Sequence, residues 1–322
     1  MYAEPEGAAE PLAALVAQAL PVCEATGNDF ALHRGYRALG EVEGFYGRAE
    51  AAAQAYERAA THARRAGFPN ETLVAFSNHE RMLGATPLSE LLAWQDLQDE
   101  GARRNPWMRS TRAQALAMLG RTDEARMILA GLHAERADRG GGILGAVSTR
   151  ADLDVELLAG DPAVALQPAA DLFRLYEELG HQSFLPWAAG ELAQVYYALD
   201  RLDDAEAWAD RAATIVASFD PESLWMQVRA KVLARRGEYA ESERLARKAT
   251  EMNDATDWVN PQAHAYADLA EVVVLGGNSE GATEALEQAL ARYQRKENIV
   301  MAQRIGARLA ELRPPEATVE RV

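Results

Sequence analysis

The residues best able to support chemistry are few and scattered along the 322-residue chain. A metal site needs three or four converging ligands, and the six histidines and the single Cys23 form no such cluster in the sequence. His264 and Asp268 lie four residues apart, and His133 and Glu135 lie two apart, so each pair supplies only two ligands. A Ser-His-Asp triad is defined by geometry and cannot be assigned from spacing. We therefore predict no catalytic residue, no metal site and no cofactor.

A glycine pattern and two aspartates are the remaining chemical candidates. Gly140, Gly142 and Gly145 match the G-x-G-x-x-G spacing of a dinucleotide-binding loop, which requires a preceding strand and a surrounding βαβ unit. Helical periodicity precedes these glycines, so we interpret them as a flexible loop between repeats. Asp152 and Asp154 point about 200° apart on a helix, which is poor geometry for a catalytic carboxylate pair.

The composition narrows the class of protein. Lys and Arg number 33 against 49 Asp and Glu, which gives a formal net charge of −16. Nucleic acids and anionic membranes attract clustered Lys and Arg, so neither is expected as the main partner. A single cysteine excludes an internal disulfide. The first eleven residues lack the pattern of a signal peptide, and apolar runs such as 270–276 fall short of the ~20 residues that cross a bilayer, so we expect a cytoplasmic protein.

A repeat in the sequence indicates which helices would position a functional site. A small residue that opens a helical segment recurs at intervals of 36 to 40 residues, which indicates seven units. The recurring residues are Ala52, Ser89, Ala125, Ala165, Ala205, Ser242 and Ala282.

Each unit has the pattern of two helices joined by a short turn, because apolar residues recur at three- and four-residue spacing on both sides of a Gly or Asp. The turns fall at Gly47, Gly84, Gly120, Gly160, Asp200, Gly237 and Gly277. Pro168 lies inside a second helix and is expected to kink or shorten it. Leu12–Ala25 and Ile299–Leu312 are predicted to be capping helices.

The predicted fold class is therefore all-α, a right-handed α-solenoid of about seven helix pairs with terminal capping helices. We expect a single repeat domain over residues 1–313, with an N-terminal cap at 1–29, the repeats at 30–297 and a closing helix at 298–313. A flexible tail is expected at 314–322.

The spacing within these units resembles that of tetratricopeptide repeats, in which a large residue, Leu-Gly or Leu-Ala, an aromatic, and then Ala, a large residue and Ala recur. The stretch Trp225–Leu312, with Val228–Ala249, Ala267–Val272 and Ala289–Asn298, also resembles the C-terminal helical-repeat region of large bacterial signalling proteins. Those proteins carry an adenylate/guanylate-cyclase or similar output domain and an ATPase module before the repeats. This chain has no phosphate-binding loop ending in Gly-Lys-Ser or Gly-Lys-Thr, so the resemblance implies the repeat region alone.

The resemblance implies a non-catalytic scaffold or regulatory module that binds a peptide or a partner domain on its concave face. ATPase or cyclase domains, in cis or in trans, are implied partners. In such arrays the first helices of successive units line the concave surface. The positions carried over to that surface are Arg34, Arg37, Glu41, Asn78, Arg81, Trp107, Gln114, Arg150, Asp154, Trp187, Gln194, Tyr197, Gln227, Lys231, His264 and Glu271.

Alternatives remain open for this surface. Its basic residues form either a stripe that binds carboxylates of a partner or a solvated face with intramolecular ion pairs. Those residues are Arg34, Arg37, Arg81, Arg150 and Lys231. Trp107 and Trp187 fit core packing better than ligand contact. A second functional hypothesis is a small-molecule sensor with a pocket between repeats near Gly140–Gly142.

Overall fold

The computed structural model describes residues 9–137, 142–215 and 223–312, and within these ranges the chain forms helices and no strand. The helices are α1 (Ala9–Thr26), α2 (Asp29–Phe45), α3 (Ala49–Arg65), α4 (Glu71–Leu83), α5 (Leu88–Asp96), α6 (Glu100–Arg104), α7 (Pro106–Met118), α8 (Thr122–Ala137), α9 (Ile143–Ala159), α10 (Pro162–Leu179), α11 (Leu185–Ala198), α12 (Leu202–Thr214), α13 (Leu224–Arg235), α14 (Tyr239–Asp254), α15 (Val259–Leu275), α16 (Ser279–Lys296) and α17 (Ile299–Leu312).

Consecutive helices pack as antiparallel pairs, each of which also packs on the next pair. Units 1 to 7 are the pairs α2–α3, α4–α5, α7–α8, α9–α10, α11–α12, α13–α14 and α15–α16. Helices α1 and α17 flank the pairs at the two ends. The predicted all-α solenoid of seven helix pairs with capping helices is confirmed. The division into one domain over 1–313 stays a prediction, and the tail at 314–322 lies outside the described residues.

Small residues allow the two helices of a unit to approach closely. Ala52, Ala125, Ala165, Ala205 and Ala282 are fully buried at the predicted positions. Ser242 is also buried and donates its hydroxyl to the Ala230 carbonyl oxygen at 2.7 Å. Ser89 is the exception, because it is exposed and its neighbour Leu88 takes the buried position.

The backbone is left-handed at the predicted turn residue in six of the seven units. Gly at five of these turns has φ between +69° and +87°, and Asp200 has φ +59°. A glycine lacks the Cβ that makes this region costly for other residues. Gly84 differs, with φ −73°, and its turn leads into the irregular second half of unit 2.

Unit 2 and Pro168 depart from expectation. The second half of unit 2 is not one helix but two, α5 and the five-residue α6, with Asp99 accepting a hydrogen bond from the Ala102 N–H at 2.9 Å to start α6. Helix α10 runs for 18 residues through Pro168, so the expected shortening is wrong. Buried Ala165, Ala169 and Leu172 hold this helix in place although a proline removes one backbone hydrogen bond.

The last units return to the first ones. Helix α15 contacts α4, and α17 contacts α7, although these helices are far apart in the sequence. The Asp257 N–H donates to the Gly47 carbonyl oxygen at 2.9 Å, which joins the α14–α15 turn to the turn of unit 1. The array of helix pairs is therefore closed into a ring by contacts between its two halves.

Unit 1 offers a direct test of close helix packing at Gly40. A Cβ added there would lie 2.8 Å from Cδ1 and Cε1 of Tyr56, whose ring is buried. We expect Gly40→Ala to lower the free energy of unfolding by about 1 to 2 kcal/mol in a urea titration, because the ring must move. Gly306→Ala in α17 is the matched control, since a Cβ there meets no atom within 4 Å. Equal effects of the two substitutions would contradict the packing argument.

Candidate functional site

Arg150 on α9 is the centre of the candidate site. Its guanidinium carbon lies 3.6 Å from the centroid of the Trp187 ring on α11. Its Nε lies 3.0 Å from Asp154 Oδ2, one helical turn along α9, and its Nη2 lies 3.5 Å from Glu191 Oε1. Gln114 on α7 donates to the same Asp154 carboxylate at 2.5 Å. Three consecutive first helices thus meet in one polar and aromatic network.

A second network lies on the following first helices. Lys231 on α13 is buried and its Nζ donates to Asp268 on α15 at 2.9 Å, while lying 4.7 Å from the centroid of the Tyr197 ring. The Tyr197 hydroxyl donates to the Glu271 carboxylate on α15. Burial raises the pKa of Asp268, and the ammonium group of Lys231 opposes that rise. Burial and Glu271 raise the pKa of Tyr197.

Two neutral histidines face these networks. Burial and the charge of Arg150 lower the pKa of His79 on α4 to about 4. Burial, Lys231 and Arg150 lower the pKa of His264 on α15 to about 4. Helix α15 contacts α4 directly, and the charge of Arg150 on α9 acts on both histidines, so these three helices surround the same interior. We define the inner face as His79, Gln114, Arg150, Asp154, Trp187, Glu191, Gln194, Tyr197, Lys231, His264, Asp268 and Glu271.

The inner face carries more carboxyl groups than basic side chains, so it is not a basic stripe. With the histidines neutral, Arg150 and Lys231 are its own cations against four carboxyl groups, those of Asp154, Glu191, Asp268 and Glu271, and Arg308 of α17 lies 4.0 Å from Glu271. Arg37 pairs with Glu41 at 3.0 Å and Arg81 with Glu57 at 2.5 Å. Four of the five basic residues of the predicted stripe therefore hold intramolecular ion pairs, as one of the two alternatives expected, while Arg34 is exposed on α2.

The other predicted positions are placed less favourably for a ligand. Asn78 is fully buried and accepts a hydrogen bond from Gln95 at 2.8 Å, and Gln227 is also buried. Half-buried Trp107 makes edge contacts with Phe76 and His79, which combines core packing with a position beside the inner face. Trp187 likewise packs on the core while supporting Arg150.

Sequence reasoning missed three members of the inner face, namely His79, Glu191 and Asp268 as the partner of Lys231. Helical spacing could have found Glu191, because it lies four residues after Trp187 on the same side of α11. The pairing of Lys231 with Asp268 depends on how unit 6 stacks on unit 7, which spacing within one unit does not specify.

The remaining chemical candidates do not converge. His133 pairs with Asp152 at 2.8 Å, whereas Glu135 pairs with Arg109 at 2.7 Å. In the part of the chain that the structure describes, no group of three or more His, Cys, Asp or Glu side chains could hold a metal ion. Gly142 precedes α9, while Gly140 and the rest of 138–141 lie outside the described residues, and with them part of the proposed small-molecule pocket.

No helix within 9–137, 142–215 and 223–312 combines the length and the apolar character needed to cross a membrane.

Comparison with known proteins supports the repeat assignment. The tetratricopeptide repeat family model matches residues 106–130, 186–211 and 228–248. A signal transduction ATPase with a tetratricopeptide repeat sensor, from Pyrococcus horikoshii, superposes with a TM-score of 0.56 at 12% identity; the match covers 91% of this chain and 53% of that one. A Rap protein complexed with Competence and Sporulation Factor gives a TM-score of 0.47 at 11% identity, covering 86% and 81%. No curated protein matches in sequence. The family model thus matches parts of units 3, 5 and 6, and the shared fold is that of a tetratricopeptide-like helical array.

Proposed function

We propose that this chain is a non-catalytic regulatory repeat module of a bacterial signalling system, which binds an extended segment of a partner protein along the inner face. The observation that carries the proposal is the continuous row of amide, aromatic and charged side chains that six first helices, α4, α7, α9, α11, α13 and α15, present to one interior. Such a row offers partners for both the backbone and the side chains of an extended peptide.

The charges of the inner face favour a basic partner segment. The four carboxyl groups of the inner face outnumber Arg150, Lys231 and the neighbouring Arg308, and this excess of negative charge favours Lys or Arg side chains of a peptide. The net charge of −16 on the whole chain adds long-range attraction for a positively charged segment. Amide side chains such as Gln114 and Gln194 are suited to the neutral backbone of the same segment.

The proposed place in signalling rests on the sequence resemblance described above. The likeness to the archaeal ATPase is at 12% identity and supports the fold alone. We propose that the module acts on an ATPase or cyclase output domain, in cis or in trans, in the cytoplasm. Binding of the partner segment would then be the signal that changes the output.

Peptide binding tests the proposal. We expect fluorescence anisotropy to show binding of Lys- and Arg-rich peptides of about 12 residues and no binding of Asp- and Glu-rich peptides of equal length. Glu271→Gln should weaken binding roughly tenfold, equivalent to about 1.4 kcal/mol, because it removes one carboxylate of the inner face. Glu243→Gln on α14, whose carboxylate pairs with Arg247 at 2.6 Å, is the control and should change affinity less than twofold. Equal binding of both peptide pools, or equal effects of both substitutions, would overturn the proposal.

A further inference from the structure

The closure of the ring depends on side chains that cap helices of the opposite half. The Asp257 carboxylate accepts hydrogen bonds from the Ala49 N–H at 2.7 Å and the Glu50 N–H at 3.0 Å, at the start of α3. The residue that precedes this helix, Arg48, makes no side-chain cap of its own. A helix N-terminus leaves backbone N–H groups without partners, and a carboxylate can accept hydrogen bonds from them while its charge complements the helix dipole. Asp257 therefore does for α3 what a local capping residue normally does.

The turn of unit 2 is held in the same way. Lys296 is fully buried, and its Nζ donates to the carbonyl oxygens of Arg81 at 2.9 Å, Gly84 at 2.7 Å and Thr86 at 2.8 Å. These three acceptors match the three N–H groups of one ammonium. Burial lowers the pKa of Lys296 to about 7, so closing the ring removes favourable hydration from this group.

The neighbouring helix start is also capped from the far half. The Glu297 carboxylate accepts from the Ser89 N–H at 2.7 Å and from the Ser89 hydroxyl at 3.0 Å, at the start of α5, where Pro87 offers no side-chain cap. Arg304 on α17 donates to the carbonyl oxygens of Leu158 at 2.7 Å and Leu157 at 3.3 Å, at the end of α9. The turns of units 1, 2 and 4 are thus completed by the last part of the chain.

The closure differs in chemistry from the packing between consecutive units. Each hydrophobic cluster formed by the described residues belongs to neighbouring units, and none of them joins residues before 160 to residues after 255. Burial of apolar surface is the main stabilising force within the array. The capping contacts can therefore be exchanged for contacts with water while every apolar cluster stays intact.

We propose that the contacts of Asp257, Lys296, Glu297 and Arg304 form a latch that opens and closes the ring, and that opening gives a partner segment access to the inner face. The latch is defined by contacts within this chain alone. Its role in admitting a partner segment to the inner face rests on the proposed function. In the closed ring α15 contacts α4 across the interior, and Lys231 and Glu191 of the inner face are 4% and 6% exposed. Opening the ring would widen the approach to these groups for a peptide.

A distance measurement tests the latch in the full chain without any partner. Spin labels at Glu90→Cys and Arg295→Cys, both exposed, would report the separation of the two halves in a Cys23→Ser background. We expect one short distance for the parent chain and a population at longer distance for Asp257→Ala/Glu297→Ala. The matched control is Asp161→Ala/Asn278→Ala, which removes two caps that act within their own helices. It should keep the short distance.

Access to the inner face provides the second measurement. Gln194→Cys in the same Cys23→Ser background would be modified by a bulky maleimide, and we expect the rate to rise at least fivefold when the latch residues are replaced and to stay unchanged in the control. Unchanged distance and rate in Asp257→Ala/Glu297→Ala, with helical content preserved by circular dichroism, would overturn the latch. Neither measurement uses a peptide, so a failure of basic peptides to bind would not contradict the latch. Peptide binding by a ring that does not open would contradict the latch and leave the proposed function intact.

Discussion

Replacing Lys231 by methionine is expected to lower the free energy of unfolding by about 3 kcal/mol at pH 8. Methionine keeps most of the volume of the buried side chain but leaves Asp268 without the ammonium group that lies 2.9 Å away. A buried carboxylate that loses its partner keeps its desolvation penalty and loses the compensating attraction. Urea titration would measure the change. Lys248→Met on α14 is the control, because this exposed lysine lies 3.6 Å from Glu251 and such pairs contribute little.

The loss of stability caused by Lys231→Met should depend on pH. Burial already raises the pKa of Asp268, and loss of Lys231 raises it further. A carboxyl group with a raised pKa in the folded state contributes its full stability below its unfolded pKa and loses it as the pH rises through the folded pKa. The deficit of Lys231→Met should therefore shrink between pH 8 and pH 4, and Asp268→Asn should rescue it at pH 8. A deficit that is independent of pH and is not rescued would show that Lys231 acts through packing alone.

The helix pairs were predictable because their signals are local. A glycine or aspartate that ends one helix and a small residue that opens the next lie within a few positions, and six of the seven turns have the left-handed backbone that those residues favour. The division of the second half of unit 2 into α5 and α6 was not predicted, since Asp99 was not recognised as the residue that caps α6. The positions of Gln114, Arg150 and Asp154 on first helices followed from the repeat spacing, but their hydrogen bonds depend on the stacking of consecutive units.

The contacts that close the ring cannot be predicted from a repeat pattern. Asp257 caps α3 across 208 positions, and Glu297 caps α5 across the same separation. The sequence contains only an indirect sign, which is that Arg48 and Pro87 stand where a capping Ser, Thr, Asp or Asn would be preferred. A missing cap can be satisfied by water as well as by another part of the chain. Only the three-dimensional path of the array, which returns α14–α17 to units 1–4, selects the second outcome.

Glu80 carries the second large expected effect. Its side chain is buried at the end of α4, its Oε1 would lie 2.9 Å from a Cβ at Gly44 on α2, and its Oε2 has no hydrogen-bond partner. Burial, with a smaller contribution from the charge of Asp257, raises the pKa of Glu80 to about 8. The folded protein therefore holds this carboxyl group protonated at neutral pH, next to the closure of the ring.

We expect the stability contributed by Glu80 to be full below about pH 4.5, where an unfolded glutamate is also protonated, and to be lost as the pH rises toward 8. Glu80→Gln mimics the protonated form, so it should match the parent chain at pH 4.5 and exceed its free energy of unfolding by about 4 to 5 kcal/mol at pH 8.5. Glu90→Gln, at an exposed position on α5, is the control and should follow the parent chain at every pH. Asp257→Asn should move the midpoint of the parent's pH dependence downward, because the like charge that opposes ionisation of Glu80 is gone. Parallel pH profiles for the parent chain and Glu80→Gln would mean that Glu80 is ionised in the folded state, which would require water to reach this end of α4 and the closure beside it to be open.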